Sequence, residues 1–191
     1  MKKKTAKQSG KTRIFTAPAN LLVTAPSRAG QREMRPRVYL DTTVPSAYFD
    51  ERASISDIVQ TTRLWWDEES RFYDVWISPI VGLEVDDGVY SYKAELQAFC
   101  RKLNVLEPNP TIDEIARTYI ENKLMPQKFF GDASHLAYAT FYRFDFLATW
   151  NCNHLANANK RKHLQVINDR LGFPMPQIVT PMELFRERDD L

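Results

Sequence analysis

The sequence predicts an α/β fold, an α/β/α sandwich around a mostly parallel sheet of about five strands. Three observations support this prediction. From Arg37 onward, short apolar runs of strand length alternate with longer stretches of helical period. The stretches between the runs are long enough to hold the helical crossovers that parallel strands need. The 191 residues suit one such domain with modest appendages, and they contain no internal repeat.

The predicted strands are short and apolar, and the first of them ends where Asp41 opens a polar turn that runs to Pro45. A turn at 182–185 closes the domain. In chain order, the predicted strands are 38–40, 74–77, 104–106, 146–149 and 178–179.

Most of the predicted helices have a recognisable start or stop. Ser56 is a cap residue, Ser78-Pro79 opens the second helix, and Gly88 stops it. Thr111-Ile112-Asp113-Glu114 has capping-box spacing, and Gly131-Asp132 opens the helix after that. The predicted helices are 56–70, 79 through 84, 92–101, 111–122, 133–142 and 163–171.

The charge of the chain is distributed unevenly. Residues 1–37 hold ten Lys or Arg and one acid, Glu33, so this segment has a net charge of +9 and the rest of the chain −7. We therefore predict a flexible basic segment at 1–36, a folded domain at 37–186 and a polar tail at 187–191. The basic segment has three interpretations: an arm for nucleic acid, a transit segment, or a start placed too far upstream, with Met34 as the first residue.

Several classes of function lack their sequence features. No run approaches the roughly 18 apolar residues of a membrane helix. No phosphate-cradling glycine loop and no nucleophile elbow occurs, and the three histidines lack zinc-ligand spacing. The histidines and the two cysteines are therefore predicted to be structural, and a distant thiol pair is typical of a reducing cytoplasm. These residues are His135, His154, His163, Cys100 and Cys152.

Three acids and one amide remain as candidates for chemistry. Asp41 follows the first strand, Glu84 lies in an otherwise apolar stretch after the second, and Asp132 lies at a helix start. Asn151 follows the fourth strand. Parallel topology brings such strand ends together. Each residue also has a structural interpretation, as a turn former or as an acid at the positive end of a helix.

Clustered carboxylates repel one another, so a site that holds three of them is stable mainly when a divalent cation neutralises it. Oxygen ligands favour Mg²⁺ or Mn²⁺. Such ions polarise phosphoryl oxygens and activate water, which makes phosphodiester hydrolysis the natural reaction.

The same residues resemble the PIN domain family. The resemblance is carried by Val38-Tyr39-Leu40-Asp41-Thr42-Thr43-Val44, by Glu84, by Gly131-Asp132-Ala133-Ser134-His135-Leu136-Ala137 and by Leu147-Ala148-Thr149-Trp150-Asn151. It extends over 37–185, with spacings of 43, 48 and 19 residues between the four polar positions. Within that family the chain is most similar to the VapC-like toxins of bacterial toxin–antitoxin pairs.

The resemblance implies a parallel α/β/α sandwich and Mg²⁺- or Mn²⁺-dependent cleavage of single-stranded RNA. It also implies an inhibitory antitoxin protein and a homodimer. By this resemblance Asp41, Glu84 and Asp132 hold the metal, and Thr43 supports Asp41 or a water. Asn151 stands where many members place a fourth Asp, which removes one charge from the site.

For RNA contact, the best candidates are Lys160, Arg161 and Lys162, because the folded part is negative overall and RNA must be met by local basic patches. A solvated helix face is the structural alternative for this run.

Two other functions remain open. An inactive PIN-like module that binds RNA or protein is suggested by Asn151. An aspartyl-nucleophile phosphatase of the haloacid-dehalogenase type is suggested by Asp41 before two threonines, although Thr43 stands where that fold needs a second Asp.

Overall fold

A five-stranded sheet lies at the centre of the structure, a computed structural model that describes residues 35–125, 130–151 and 158–187. Neighbouring strands follow the order β3-β2-β1-β4-β5, and all four pairings are parallel. The predicted parallel sheet of five strands is confirmed. The strands are β1 (Arg37–Leu40), β2 (Asp74–Ile77), β3 (Asn104–Val105), β4 (Phe146–Ala148) and β5 (Gln177–Val179).

Helices connect the strands and cover both faces of the sheet. Helix α2 continues as a π-helical turn at Trp65–Glu69, and a short 3₁₀ helix at Pro181–Leu184 closes the domain where a turn was predicted. The α-helices of the described ranges are α1 (Thr43–Phe49), α2 (Ser56–Leu64), α3 (Pro79–Asp87), α4 (Lys93–Cys100), α5 (Pro110–Glu121), α6 (Phe130–Phe141) and α7 (Ala158–Leu171).

The sheet separates two hydrophobic clusters, which makes the fold the predicted α/β/α sandwich. Helices α5, α6 and α7 pack on one face with Tyr39 of β1. Helices α1, α3 and α4 and the π-helical turn after α2 pack on the other face with Val38 and Leu40. This division follows from the alternation of side chains along a strand. Each large apolar side chain that is fully buried contributes about 1.5–3 kcal/mol, and Tyr39 and Leu40 are both 0% exposed. The end of β1 is therefore firmly anchored.

The strand order reverses between β1 and β4. The chain runs outward from β1 through β2 to β3, then returns across β1 to β4 and continues to β5. Ligands of open parallel sheets bind outside the carboxyl ends of the strands at such a reversal. Asp41 follows β1 and Asn151 lies three residues after β4, so both lie at this point.

Parts of the sequence-based prediction fall outside the described residues. The basic segment predicted at 1–36 is described only for Arg35 and Pro36, and the tail at 187–191 only for Glu187. Cys152 also lies outside, whereas Cys100 is buried, as predicted. None of the helices in the described ranges has both the length and the apolar character needed to cross a bilayer.

Helix α1 is missing from the sequence-based prediction, which assigned Thr43 to Pro45 to a turn. Pro45 is the third residue of this helix, where a missing N–H is tolerated because the first turn has no partner for it. Val44 and Ala47 are buried. The helix forms because it packs on the sheet. The segment shows no helical period, so the sequence pattern did not predict a helix there.

Two predicted helix caps and one predicted helix start were also wrong. Ser56 makes no cap hydrogen bond and is simply the first residue of α2. Helix α5 begins at Pro110 and is capped by Asn109, whose side chain accepts a hydrogen bond from the backbone N–H of Thr111 at 3.0 Å. Helix α7 begins at Ala158, five residues before His163. Its first turn is polar and basic, so neither an apolar period nor an acidic start signal marks it.

The position of the α5 cap can be tested directly. Asn109→Ala is expected to lower the free energy of unfolding by about 1 kcal/mol, because it removes the side-chain acceptor from the helix start. Thr111→Ala is the matched control and is expected to cost less, since only the backbone of Thr111 takes part in the cap. Urea unfolding of both variants measures the difference. A larger loss of unfolding free energy for Thr111→Ala would contradict the Asn109 cap and support the capping box predicted at Thr111.

Candidate active site

Asp41 is held by three hydrogen-bond donors at the end of β1. Its Oδ1 accepts from the backbone N–H of Thr43 at 2.9 Å and from the hydroxyl of the same residue. Its Oδ2 accepts from the hydroxyl of Thr149, which follows β4. Only 2% of Asp41 is exposed. The carboxylate therefore has a fixed orientation, and Thr43, which was predicted to support Asp41 or a water, donates two of the three hydrogen bonds to Asp41.

The two threonine hydroxyls also join the loops that follow β1 and β4. The Thr43 Oγ1 accepts a hydrogen bond from the backbone N–H of Trp150 at 2.8 Å, and the Thr149 Oγ1 accepts from the backbone N–H of Asn151 at 2.9 Å. Each hydroxyl donates to Asp41 and accepts from the β4 loop. Asn151 is thereby positioned relative to Asp41 through one intervening hydroxyl.

Asp132 and Asn151 are in direct contact. The Nδ2 of Asn151 donates a hydrogen bond to the Oδ1 of Asp132 at 3.0 Å. Asp132 is in the first turn of α6, where a negative charge is favoured by the helix dipole. An Asp at position 151 would place a second carboxylate against the first, whereas the amide supplies a donor. The structure therefore brings these two predicted site residues together.

Glu84 reaches the same edge of the sheet from α3. Its Oε2 accepts a hydrogen bond from the hydroxyl of Thr42 and lies 3.1 Å from the Nε2 of His135. Its side chain is 38% exposed. The sequence analysis inferred that a charged residue in this apolar stretch must reach a partner or solvent, and Glu84 reaches both.

His135 is the main site residue that the sequence analysis missed, because it was predicted to be structural. It is 2% exposed, and its Nδ1 lies 2.7 Å from the hydroxyl of Tyr39, which in turn lies 2.7 Å from the hydroxyl of Ser78. One signal could have identified it. His135 is three residues after Asp132 on α6, and residues at this spacing share a helix face.

The charges of all three acids act on His135. Burial lowers the pKa of its imidazole, but the hydrogen bond to Glu84 and the charges of Asp41, Glu84 and Asp132 outweigh burial, so the net pKa is raised. Burial raises the pKa of Asp41, and the opposing effects of His135, Thr149 and Thr43 do not cancel this rise. Burial also raises the pKa of Glu84, but the hydrogen bonds and charge of His135 and Thr42 lower it further, so its net pKa is below the ordinary value.

The donor chemistry of this cluster fits a hard divalent cation, since Mg²⁺ and Mn²⁺ prefer carboxylate and amide oxygens. Its present geometry is not that of a formed metal centre. Among residues 35–125, 130–151 and 158–187, no group of three or more His, Cys, Asp or Glu side chains is arranged to hold a metal ion. The three carboxylates instead accept hydrogen bonds from threonine, histidine and asparagine side chains. Sharing one ion would require some of these bonds to be exchanged.

The basic run predicted to contact RNA lies on the first turns of α7. Arg161 and Lys162 are exposed, and the guanidinium of Arg161 donates a hydrogen bond to the backbone oxygen of Ile178 at 3.1 Å. Both residues line a cavity of about 480 Å³ beside β5. Lys160 is half-buried. The structure thus places this run after β4 but gives it no described contact with the acids.

Comparison with models of known protein families, with curated proteins and with solved structures found no match to this chain. The resemblance to PIN domains therefore rests on the residues quoted above and stays a prediction.

The opposite pKa shifts of two acids predict opposite pH dependences. The pKa of Asp41 is raised on folding, so its contribution to stability falls as pH rises through and above the unfolded value of about 3.9. The pKa of Glu84 is lowered, so its contribution grows as pH rises towards the unfolded value of about 4.3. Relative to the parent protein, Asp41→Asn should therefore become more stable as pH rises, and Glu84→Gln less stable.

Urea unfolding at several pH values between about 3 and 5.5, a range that brackets the ordinary carboxyl pKa values, measures both trends. Each variant serves as the control for the other, because both remove one charge from the same cluster. Slopes of the same sign would contradict the assigned environments.

Gly131 leaves room for the Glu84 carboxylate beside α6. A Cβ at this position would overlap the Glu84 Oε1, whereas a Cβ at Gly82 of α3 would meet nothing within 4 Å. Gly82→Ala should therefore raise the free energy of unfolding by about 0.5–1 kcal/mol, the usual gain for this change in a helix. Gly131→Ala should gain less or lose stability, because Glu84 must move away from His135 or Thr42. Urea unfolding compares the two variants, and an equal gain would show that Glu84 is not held in place.

Proposed function

We propose that this protein is a Mg²⁺- or Mn²⁺-dependent endoribonuclease that cuts single-stranded or looped RNA. The observation that supports the proposal is the convergence of Asp41, Glu84 and Asp132, from three separate elements, around one buried histidine at the carboxyl edge of a parallel sheet. Open α/β sheets bind their ligands outside this edge, at the point where the strand order reverses.

The residues of this chain would divide the work of holding the ion and the substrate. Asp41, Glu84 and Asp132 would hold the divalent cation, and Asn151 would orient Asp132 or supply an amide oxygen. When bound, the ion would polarise the phosphoryl oxygen and lower the pKa of water for attack on phosphorus. Thr43 and Thr149 fix the orientation of Asp41 before any ligand arrives, which reduces the cost of ordering the site.

Contact with RNA would come from local positive charge on α7, beside β5. Lys160, Arg161 and Lys162 lie on the helix that follows the β4 loop, and two of them are exposed. Phosphate contacts of this kind strengthen binding without selecting sequence, and they weaken as salt is added.

We further propose that the protein is the toxin of a toxin–antitoxin pair, acts in the cytoplasm, forms a homodimer and is inhibited by a cognate antitoxin. This part rests on the resemblance to VapC-like toxins.

A second candidate is a PIN-like module that binds RNA or protein without cutting it. One observation favours it: Asn151 places an amide, and not a further carboxylate, against Asp132. The experiment that tests the nuclease separates the two functions, because only the nuclease produces cleaved RNA.

Cleavage of a fluorescently labelled single-stranded RNA should require added Mg²⁺ or Mn²⁺ and should stop with a chelator. Asp41→Asn, Glu84→Gln and Asp132→Asn should each lower the rate at least about 100-fold, the upper end of the loss caused by changing groups that only orient metal ligands. Asp50→Asn is the control. Asp50 is also buried, but its carboxylate accepts hydrogen bonds from Arg52 and Tyr92, so Asp50→Asn should leave the rate per folded molecule nearly unchanged.

Unchanged cleavage by the three site variants would refute the nuclease assignment. RNA binding by the parent protein without cleavage at any metal concentration would favour the binding module.

A further inference from the structure

We propose that Ser78, Tyr39 and His135 form a directed chain of hydrogen bonds that positions the Glu84 carboxylate, with His135 as the positioning residue. The proposal deepens the function proposed above and rests on it for its catalytic consequence. The hydrogen-bond chain itself is a structural claim about four described residues: Tyr39 lies in β1, Ser78 and Glu84 belong to the N-cap and body of α3, and His135 lies in α6.

The four side chains are joined without interruption from the core to the site. The Tyr39 hydroxyl lies 2.7 Å from the Ser78 Oγ and 2.7 Å from the His135 Nδ1. The His135 Nε2 lies 3.1 Å from the Glu84 Oε2. Ser78, Tyr39 and His135 are 0%, 0% and 2% exposed. Glu84 is the one member that reaches solvent, so the chain has a single outlet, at the site.

The direction of the chain follows from the donor inventory. An ionised carboxylate only accepts hydrogen bonds, so the hydrogen towards Glu84 must be on the Nε2 of His135. A protonated imidazole donates from both nitrogens, so the bond from Nε2 to Glu84 is the same in either protonation state. While the imidazole is neutral, its Nδ1 is an acceptor and the Tyr39 hydroxyl donates to it. The only hydrogen of Tyr39 is thereby used, and the Ser78 hydroxyl must donate to the Tyr39 oxygen. We assign these hydrogen positions from the network, and they run from Ser78 to Glu84.

Packing of the Tyr39 ring holds the hydrogen-bond chain in this arrangement. The Tyr39 ring is stacked on Tyr138 with ring centroids 6.5 Å apart and meets the edge of Phe144 at 5.9 Å. The hydroxyl of Ser78 takes part in the chain although Ser78 is at the N-cap position of α3, where such a side chain ordinarily caps the helix. The Ser78 hydroxyl therefore does not cap α3 and takes part in the hydrogen-bond chain instead.

The consequence for Glu84 is that its two oxygens have different surroundings. His135 and Thr42 both bind Oε2, which prevents the carboxylate from turning about its last bond. The other oxygen, Oε1, faces Gly131 at the start of α6, next to Asp132. The chain therefore directs one chosen oxygen of Glu84 towards the acidic end of α6, where a cation shared with Asp132 would lie.

Two substitutions at His135 separate positioning from packing. His135→Gln can place its amide donor near the position of Nε2 and keep the bond to Glu84, whereas His135→Asn can reach only towards Tyr39. We expect His135→Asn to lower both the Mn²⁺ affinity, measured by calorimetry, and the RNA cleavage rate by about 10–100-fold, as for other groups that orient metal ligands. His135→Gln should recover most of both. Equal losses in the two variants would overturn the proposal, because the residue would then serve only to fill space.

A measurement on the unaltered protein avoids any failure of the variants to fold. Nitrogen-15 NMR of the histidine side chains, recorded at a pH high enough to keep the imidazole neutral, should show His135 with an acceptor Nδ1 and a hydrogen on Nε2, and Tyr39→Phe should weaken this preference. A hydrogen on Nδ1 alone would overturn the proposal. If the tautomer and the order of Mn²⁺ affinities are as expected but RNA is not cleaved, the hydrogen-bond chain is supported and the nuclease assignment is refuted.

Discussion

Three carboxylates at one edge of a sheet require partners for their negative charge, and this requirement shapes the region around β1, β4 and α6. In the structure the partners are neutral donors and one histidine: threonines hold Asp41, Asn151 holds Asp132, and His135 with Thr42 holds Glu84. Charge-assisted hydrogen bonds of this kind are stronger than those between neutral groups. They offset part of the cost of burial, although the raised pKa of Asp41 shows that the offset is incomplete there. Burial therefore disfavours the charged form of Asp41, whereas the partners of Glu84 favour its charged form.

The fold supplies the positions and the hydrophobic core fixes them. Asp41 and Thr149 follow adjacent parallel strands, and Thr149 donates its backbone N–H to Val179 of β5 at 2.9 Å, which ties the β4 end to its other neighbour. Tyr39, two residues before Asp41, lies on the same side of β1 and brings its hydroxyl to His135. The same strand therefore contributes a buried aromatic ring to the core and a carboxylate to the site, so core packing and site geometry depend on each other.

The sequence predicted the parallel sheet and the acids because both leave local signals: apolar runs at strand length, and acids that follow them or interrupt them. It did not predict α1, because seven residues with Pro45 in the first turn form a helix only through packing on the sheet. It assigned His135 a structural role, because its partners Tyr39 and Glu84 are 96 and 51 residues away. It began α7 too late, because a polar first turn has no apolar period. Contacts between distant residues decide each of these features.

The central claim is that Asp41, Glu84 and Asp132 can share one divalent cation once their present hydrogen bonds are exchanged. Anomalous diffraction from crystals of the full chain soaked in Mn²⁺ tests it most directly, because the signal locates the ion independently of any assay. The account predicts one strong peak within coordination distance of all three carboxylates, with the Asn151 amide beside it. A peak on another part of the surface, or crystals that bind no Mn²⁺ while the three side chains keep their present partners, would contradict it.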